Sequence, residues 1–330
     1  MLRGRGHGAV FVTPMTKEIR NLLGFSFVDD TDLIVMGYSR QEVIAKMQAL
    51  LDDWADGVRV TGGALVPQKS HWYLISFDAS NPGEIRYSPA LATEQLYLSS
   101  STGDRSPIEN VPPHKSKKTL GVYMNPMGTM EKQKHVLRQK CEVWADKICS
   151  GTLPRHLVWL SFHSQLLKSL EYVLHTSTFT KKECDWIIRP ALQQLLQGSG
   201  FVKTFPRPVV YGPLALQGLA VPHLHHTQGL SQVKKLLKHS DSPHTTTALL
   251  LRATLEMQQL ESGLPGDPFQ LPPNLDRCLT PTWVKGASVF MREAGWTISQ
   301  PYLCFLPLQI NDTYVIQELA RTDRRPSDLA

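Results

Sequence analysis

Hydrophobic and polar positions change regime along this chain, from strand-like apolar runs around one amphipathic helix in the first third to mostly helical spacing from Thr129. "LLGFSFV" and "TDLIVMGY" are runs rich in β-branched and aromatic residues, and they flank Asp29 and Asp30. Turn-favouring aspartates between such runs predict a β-hairpin with the carboxylates at its tip. A helix is predicted next. Ser39 and Glu42 have the spacing of a capping box, Val43, Met47, Leu50, Leu51 and Trp54 make an apolar stripe, and Gly57 supplies a stop. "RVTGGALVPQKSHWYLISF" reads as a strand, a Gly62-Gly63 turn, a loop around Pro67 and a buried strand from Trp72 to Phe77. Further strand-like pieces are "EIRYS" and "EQLYL", and residues 99–118 read as a polar loop without periodicity. "TLGVYM" is a short strand closing this region, followed by an "NPMG" turn.

From Thr129 the pattern is helical. Leu137, Cys141, Trp144 and Ile148 recur at spacings of four, three and four, and Gly151 ends the run. Residues 155–175 predict a second helix with Leu157, Leu160, Ser164, Leu167 and Leu174 on one face. Thr180 and Glu183 cap a third, which Pro190 is expected to kink and Gly198 to end. More helices are predicted at 229–239, 243–262 and 281–295, and "RTDRRPSDLA" reads as a disordered tail. No internal repeat is visible.

Composition adds modest constraints. The chain has 330 residues, 42% of them hydrophobic and 19% charged, as in an ordinary globular protein. Its net charge of +6 allows an anionic partner without requiring one. Five scattered cysteines with no CxxC pair argue against disulfides and structural zinc. The start lacks the apolar core of a signal peptide, and no apolar run reaches the ~18 residues of a membrane span. The expected setting is intracellular, nucleus or cytoplasm, not secreted, with no membrane partner.

The two aspartates carry the candidate chemistry. Two-metal nucleotidyl transfer needs carboxylates converging rigidly on divalent ions, and a tight hairpin fixes them well. An Asp-Asp pair is also simply a good turn dipeptide. The order of elements favours the first reading: Asp-Asp hairpin, amphipathic helix, Gly-Gly turn, "VPQKS" loop, aromatic strand, then "KTLGVYM". This succession resembles the latter half of the palm domain of reverse transcriptases. The stretches "LLKSLEYVLHTSTFTKKECDWIIRPALQQLL" and "VVYGPLALQGLAVPHL" resemble the thumb and downstream segment of non-LTR retroelement polymerases. Together the similarity covers roughly residues 23–260.

The resemblance implies an α+β fold, with a truncated palm of antiparallel strands and one packing helix followed by an α-helical thumb and extension. The implied domains are a tail at 1–22, a partial palm at 23–125, a thumb-like domain at 126–262 and a C-terminal extension at 263–330. It also implies Asp29 and Asp30 as Mg²⁺ ligands, with Lys69 near the leaving pyrophosphate. Leu120 and Gly121 would sit at the primer grip of an RNA/DNA template-primer, where a glycine lets the backbone approach a strand. Lys115, Lys117, Lys118, Lys132, Lys134 and Arg138 flank that grip and would meet phosphates; their other reading is a solvated loop and helix face. No further cofactor-binding residue is expected.

Reverse transcriptases also need fingers and a third carboxylate from an earlier palm strand. Residues 1–22 offer only Glu18, and Asp32 is poorly placed as a substitute. The expectation is therefore a retroelement-derived RNA-directed DNA polymerase fragment, inactive by itself unless a longer product or partner supplies the missing half. The alternatives are a non-catalytic nucleic-acid-binding module or a relic. His223, His225 and His226 read as a loop cluster, without the paired ligands of a zinc site. Trp54, Trp72, Trp144 and Trp186 read as core.

Overall fold

The computed structural model describes residues 24–27, 30–81, 84–87, 93–100, 103–240, 245–263, 268–296, 309–310 and 313–314. The architecture is mixed α and β, with long helices and short strands arranged in two-stranded pairs. The described residues divide into two compact units, one running to Leu120 with Met124–Thr129, the other holding Gly121–Tyr123 and Met130 onward.

In the first unit, β1 (Gly24–Phe27) and β2 (Asp30–Leu33) pair antiparallel with Phe27 opposite Asp30, the hairpin that the flanking apolar runs predict. Helix α1 (Arg40–Val60) starts at Ser39, whose hydroxyl accepts from the Glu42 N–H at 3.2 Å. The Glu42 carboxylate accepts from the Tyr38 N–H at 2.9 Å instead of closing on Ser39, so the reciprocal half of the box is displaced by one residue. Gly57 does not stop α1. A glycine inside an exposed helix costs only about 1 kcal/mol, and the chain turns instead at Gly62, whose φ of +79 suits a glycine. Arg59 and Val60 are thus the last helical turn, where the sequence pattern predicts a strand.

One face of α1, with Val43, Ile44, Met47 and Leu51, packs on Trp72, Leu74, Leu96, Leu98 and Ile108. The strand expected from Trp72 to Phe77 is shorter and broken into β3 (His71–Trp72) and β4 (Phe77–Asn81), the latter paired with β5 (Glu84–Tyr87). β6 (Tyr97–Ser99) pairs with β7 (Arg105–Pro107), and β8 (Glu109–Asn110) runs parallel to β3. Residues 99–118 are therefore not a featureless loop. Ile108 and Val111 are almost wholly buried, and their N–H groups donate to the Leu96 and Trp72 carbonyls. "TLGVYM" is likewise broken, into strands β9 (Lys117–Thr119) and β10 (Val122–Met124), by Leu120 and Gly121 at φ +48 and +82.

The second unit is helical. α2 (Glu131–Ser150) buries Leu137, Cys141, Trp144 and Ile148 as the stripe predicts. α3 (Arg155–Ser161) and α4 (Leu167–Leu174) are joined by a five-residue π turn, Phe162–Leu166. That turn resets the phase of the helix. Val158, Phe162, Leu166, Leu167, Leu170 and Leu174 are buried, while Leu157 and Leu160, which the spacing groups with Leu167 and Leu174, are exposed. α5 (Lys181–Gly198) has the complete capping box of Thr180 and Glu183 and continues through Pro190. α6 (Arg207–Tyr211), α7 (Leu224–Ser240), α8 (Thr246–Ser262) and α9 (Trp283–Glu293) follow, with a small pair β11 (Gln309–Ile310) and β12 (Thr313–Tyr314). On α7, Gln228 and Gln232 donate their amides to the Phe179 and Ser177 carbonyls, satisfying a buried loop. Among the described residues no helix is long and apolar enough to cross a membrane.

Two helical glycines separate packing from propensity. A Cβ on Gly229 of α7 would lie 2.3 Å from the Phe290 ring of α9, whereas one on Gly57 of α1 meets nothing within 4 Å. Gly229→Ala is expected to destabilise the protein by about 2–3 kcal/mol through overpacking. Gly57→Ala is expected to stabilise it by about 0.5–1 kcal/mol through helix propensity. Denaturant midpoints of the two variants check both signs.

Candidate functional site

The residues singled out by sequence fall into distinct environments. Asp29 lies outside the described residues. Asp30 is exposed at the start of β2, where the pairing with Phe27 fixes its backbone. Lys69 is exposed at the end of a 3₁₀ turn, Pro67–Lys69, and its N–H donates to the Val66 carbonyl. Among the described residues, no group of three or more histidine, cysteine, aspartate or glutamate side chains is placed to hold a metal ion. The described residues do not build a two-ion centre, and no catalytic step follows from them.

What the hairpin does bring together is a cluster the sequence pattern missed. Asp32, dismissed by spacing, is close enough to act electrostatically on His71 and Tyr73, as does Glu109, which sits opposite His71 in the β3–β8 pair. Lys117 forms an ion pair with Glu109. Burial, then the Lys117 charge, holds His71 below the ordinary imidazole value against the opposing pull of Glu109 and Asp32. Burial also pushes the Tyr73 hydroxyl up to about 12, and it donates to the Lys115 carbonyl at 3.1 Å. The only sequence signal for this cluster is the alternation that puts Asp32 two residues from Asp30 on one face of β2.

The expected phosphate-contacting cations divide by what they already hold. Lys117 is committed to Glu109, Lys134 to Glu131 at 2.7 Å and Glu183 at 3.1 Å, and Arg138 to Glu142 at 2.6 Å and the Trp186 carbonyl. Lys115 and Lys118 are exposed in the first unit, and Lys132 is exposed in the second with its ammonium 5.8 Å from the Tyr123 ring centre. Leu120 is 44% exposed in its left-handed conformation. Trp186, expected in the core, is 38% exposed, with the Arg138 guanidinium 4.8 Å from its ring centre. Trp72 and Trp144 are buried as expected.

Of the histidine cluster, expected in a loop, His225 and His226 lie in the first turn of α7 and His223 immediately precedes it. His223 is buried, its Nδ1 accepts from the His225 N–H at 3.2 Å, and its Nε2 therefore carries the proton shared with Asp185 at 3.1 Å. Burial lowers the affinity of His223 for a second proton, opposed by Asp185 and reinforced by His226 and His225. The four described cysteines are free, and Cys141 and Cys184 are fully buried. Compared with protein-family models, curated proteins and solved structures, the chain finds no match.

Depressed histidines set a pH limit. His71, His223 and His225 all bind protons more weakly folded than at the ordinary 6.5, so the unfolded chain takes up protons first as pH falls. Stability is fully present above about 6.5 and is lost on acidification below it. Thermal melts should show Tm level from pH 8 to about 7 and falling by several degrees toward pH 5. His223→Gln should remove part of that fall.

Proposed function

We propose that this chain derives from a retroelement reverse transcriptase and binds nucleic acid without polymerising it. The observation that carries the reading is Leu120. A non-glycine residue at φ +48 is a costly conformation, and its apolar side chain is 44% exposed. It ends a run in which Lys115 and Lys118 are exposed, at the position that resembles the primer grip. Strain held at an exposed backbone turn beside cations suits contact with a strand, where backbone groups meet the sugar-phosphate chain and lysines displace its counterions.

The catalytic half of the family's chemistry is not part of the proposal. Asp29 and Asp30 are the residues that would approach Mg²⁺, but among the described residues no group of three or more ligating side chains is placed to hold it. The chain by itself is expected to give no Mg²⁺-dependent primer extension.

Binding is checked with a fluorescent primer–template duplex titrated across salt concentrations. Lys115→Ala with Lys118→Ala should weaken binding and reduce the slope of log affinity against log salt by roughly 1.8, about 0.9 per lost phosphate contact. Asp30→Ala should leave affinity unchanged. A double variant with the wild-type slope would remove the nucleic-acid reading.

A further inference from the structure

A groove of about 450 Å³ opens in the helical unit between α2 and the π turn with the start of α4. Its α2 wall includes Val136, Lys140, Val143, Trp144 and Lys147, and Leu166 lies with Gln165 and Ser169 on the other side. The floor is rigid. The Trp144 indole N–H donates to the Ser161 hydroxyl at 3.0 Å, and its ring meets Phe162 edge-on at 5.5 Å. Val143 is 46% exposed within this wall.

Charge and spacing together define the occupant. Val136 and Val143 are seven residues apart, as are Lys140 and Lys147, and no carboxylate lines the groove. Seven residues are two helical turns, about 10.5 Å along the axis, and a heptad repeat of apolar positions beside cations is the complement of a second helix with carboxylates beside its own apolar seam. Valines of this kind offer no stacking surface to a base and would be poorly used against phosphates. Lys140 already reaches across to the Ser169 carbonyl at 3.3 Å, so the rim is partly ordered before a partner arrives.

We propose that this groove docks an acidic amphipathic helix supplied by a protein partner. The helix lays aliphatic side chains between Val136, Val143 and Leu166 and pairs its carboxylates with Lys140 and Lys147. The groove is formed by residues other than those assigned to nucleic acid, so the two readings stand or fall separately.

The test uses the full chain and a fluorescein-labelled peptide of about 18 residues, with leucines at heptad spacing flanked by glutamates. Fluorescence anisotropy should show saturable binding. Lys140→Glu with Lys147→Glu, both at exposed positions, should weaken it by about tenfold or more and should gain affinity for the same peptide with lysines replacing the glutamates. Val143→Glu should weaken the acidic peptide similarly. The proposal is overturned if the wild-type chain does not prefer the acidic peptide or if the charge-reversed variant binds it equally. It is also overturned if a primer–template duplex fills the groove in a Val143→Glu-sensitive manner, or if sedimentation shows self-association that Val143→Glu abolishes.

Discussion

Helix α2 packs against α5, α2 burying Leu137, Cys141, Trp144 and Ile148 while α5 buries Cys184, Ile187, Ala191, Leu192 and Leu195. Each large apolar side chain removed from water in this way is worth ~1.5–3 kcal/mol, before the cost of ordering it. The seam uses one face of α2 and so leaves two flanks. On one flank, Arg138 stacks on Trp186 and pairs with Glu142, and Lys134 ties α2 to the Glu183 that caps α5. On the other flank, Val136, Lys140, Val143 and Lys147 line the groove, with Lys140 reaching the Ser169 carbonyl. One packing choice therefore spends part of the basic stripe on internal structure and leaves the rest facing outward.

The same division holds in the first unit. Lys117 is paired with Glu109, and burial holds His71 below its ordinary pKa, so these groups offer little charge to a partner. Lys115 and Lys118 remain exposed, next to a backbone that turns left-handed at Leu120. Counting lysines along the sequence overstates the cationic surface, because a salt bridge removes a charge from the exterior field even where it contributes little to stability.

Features set by local chemistry were readable in the sequence. The β1–β2 strand pairing, the Thr180 and Glu183 capping box and the α2 stripe each depend on a few neighbouring residues, and each is where the pattern puts it. Features set by distant partners were not readable. The π turn at Phe162–Leu166 inserts one residue into the helical phase, which moves Leu157 and Leu160 outward and no periodicity count anticipates. Trp186 lies on an apolar stripe by spacing, yet it faces Arg138 at the surface. Residues 99–118 look like a loop because Ile108 and Val111 are isolated in sequence, and only their bonds to Leu96 and Trp72 make strands of their neighbours. Of the candidate site, the exposure of Lys69 follows from its turn and that of Asp30 from its place at the start of a strand, while the approach of Asp32 and Glu109 to His71 needs the fold.

Amide hydrogen exchange on the full chain, with and without a primer–template duplex and with and without Mg²⁺, separates binding from catalysis most directly. The account predicts duplex-dependent protection confined near residues 115–124, unchanged by Mg²⁺, with no new protection at Asp30–Leu33. Mg²⁺-dependent protection of that hairpin strand in the presence of duplex and nucleotide would contradict it, as would a duplex that protects neither region.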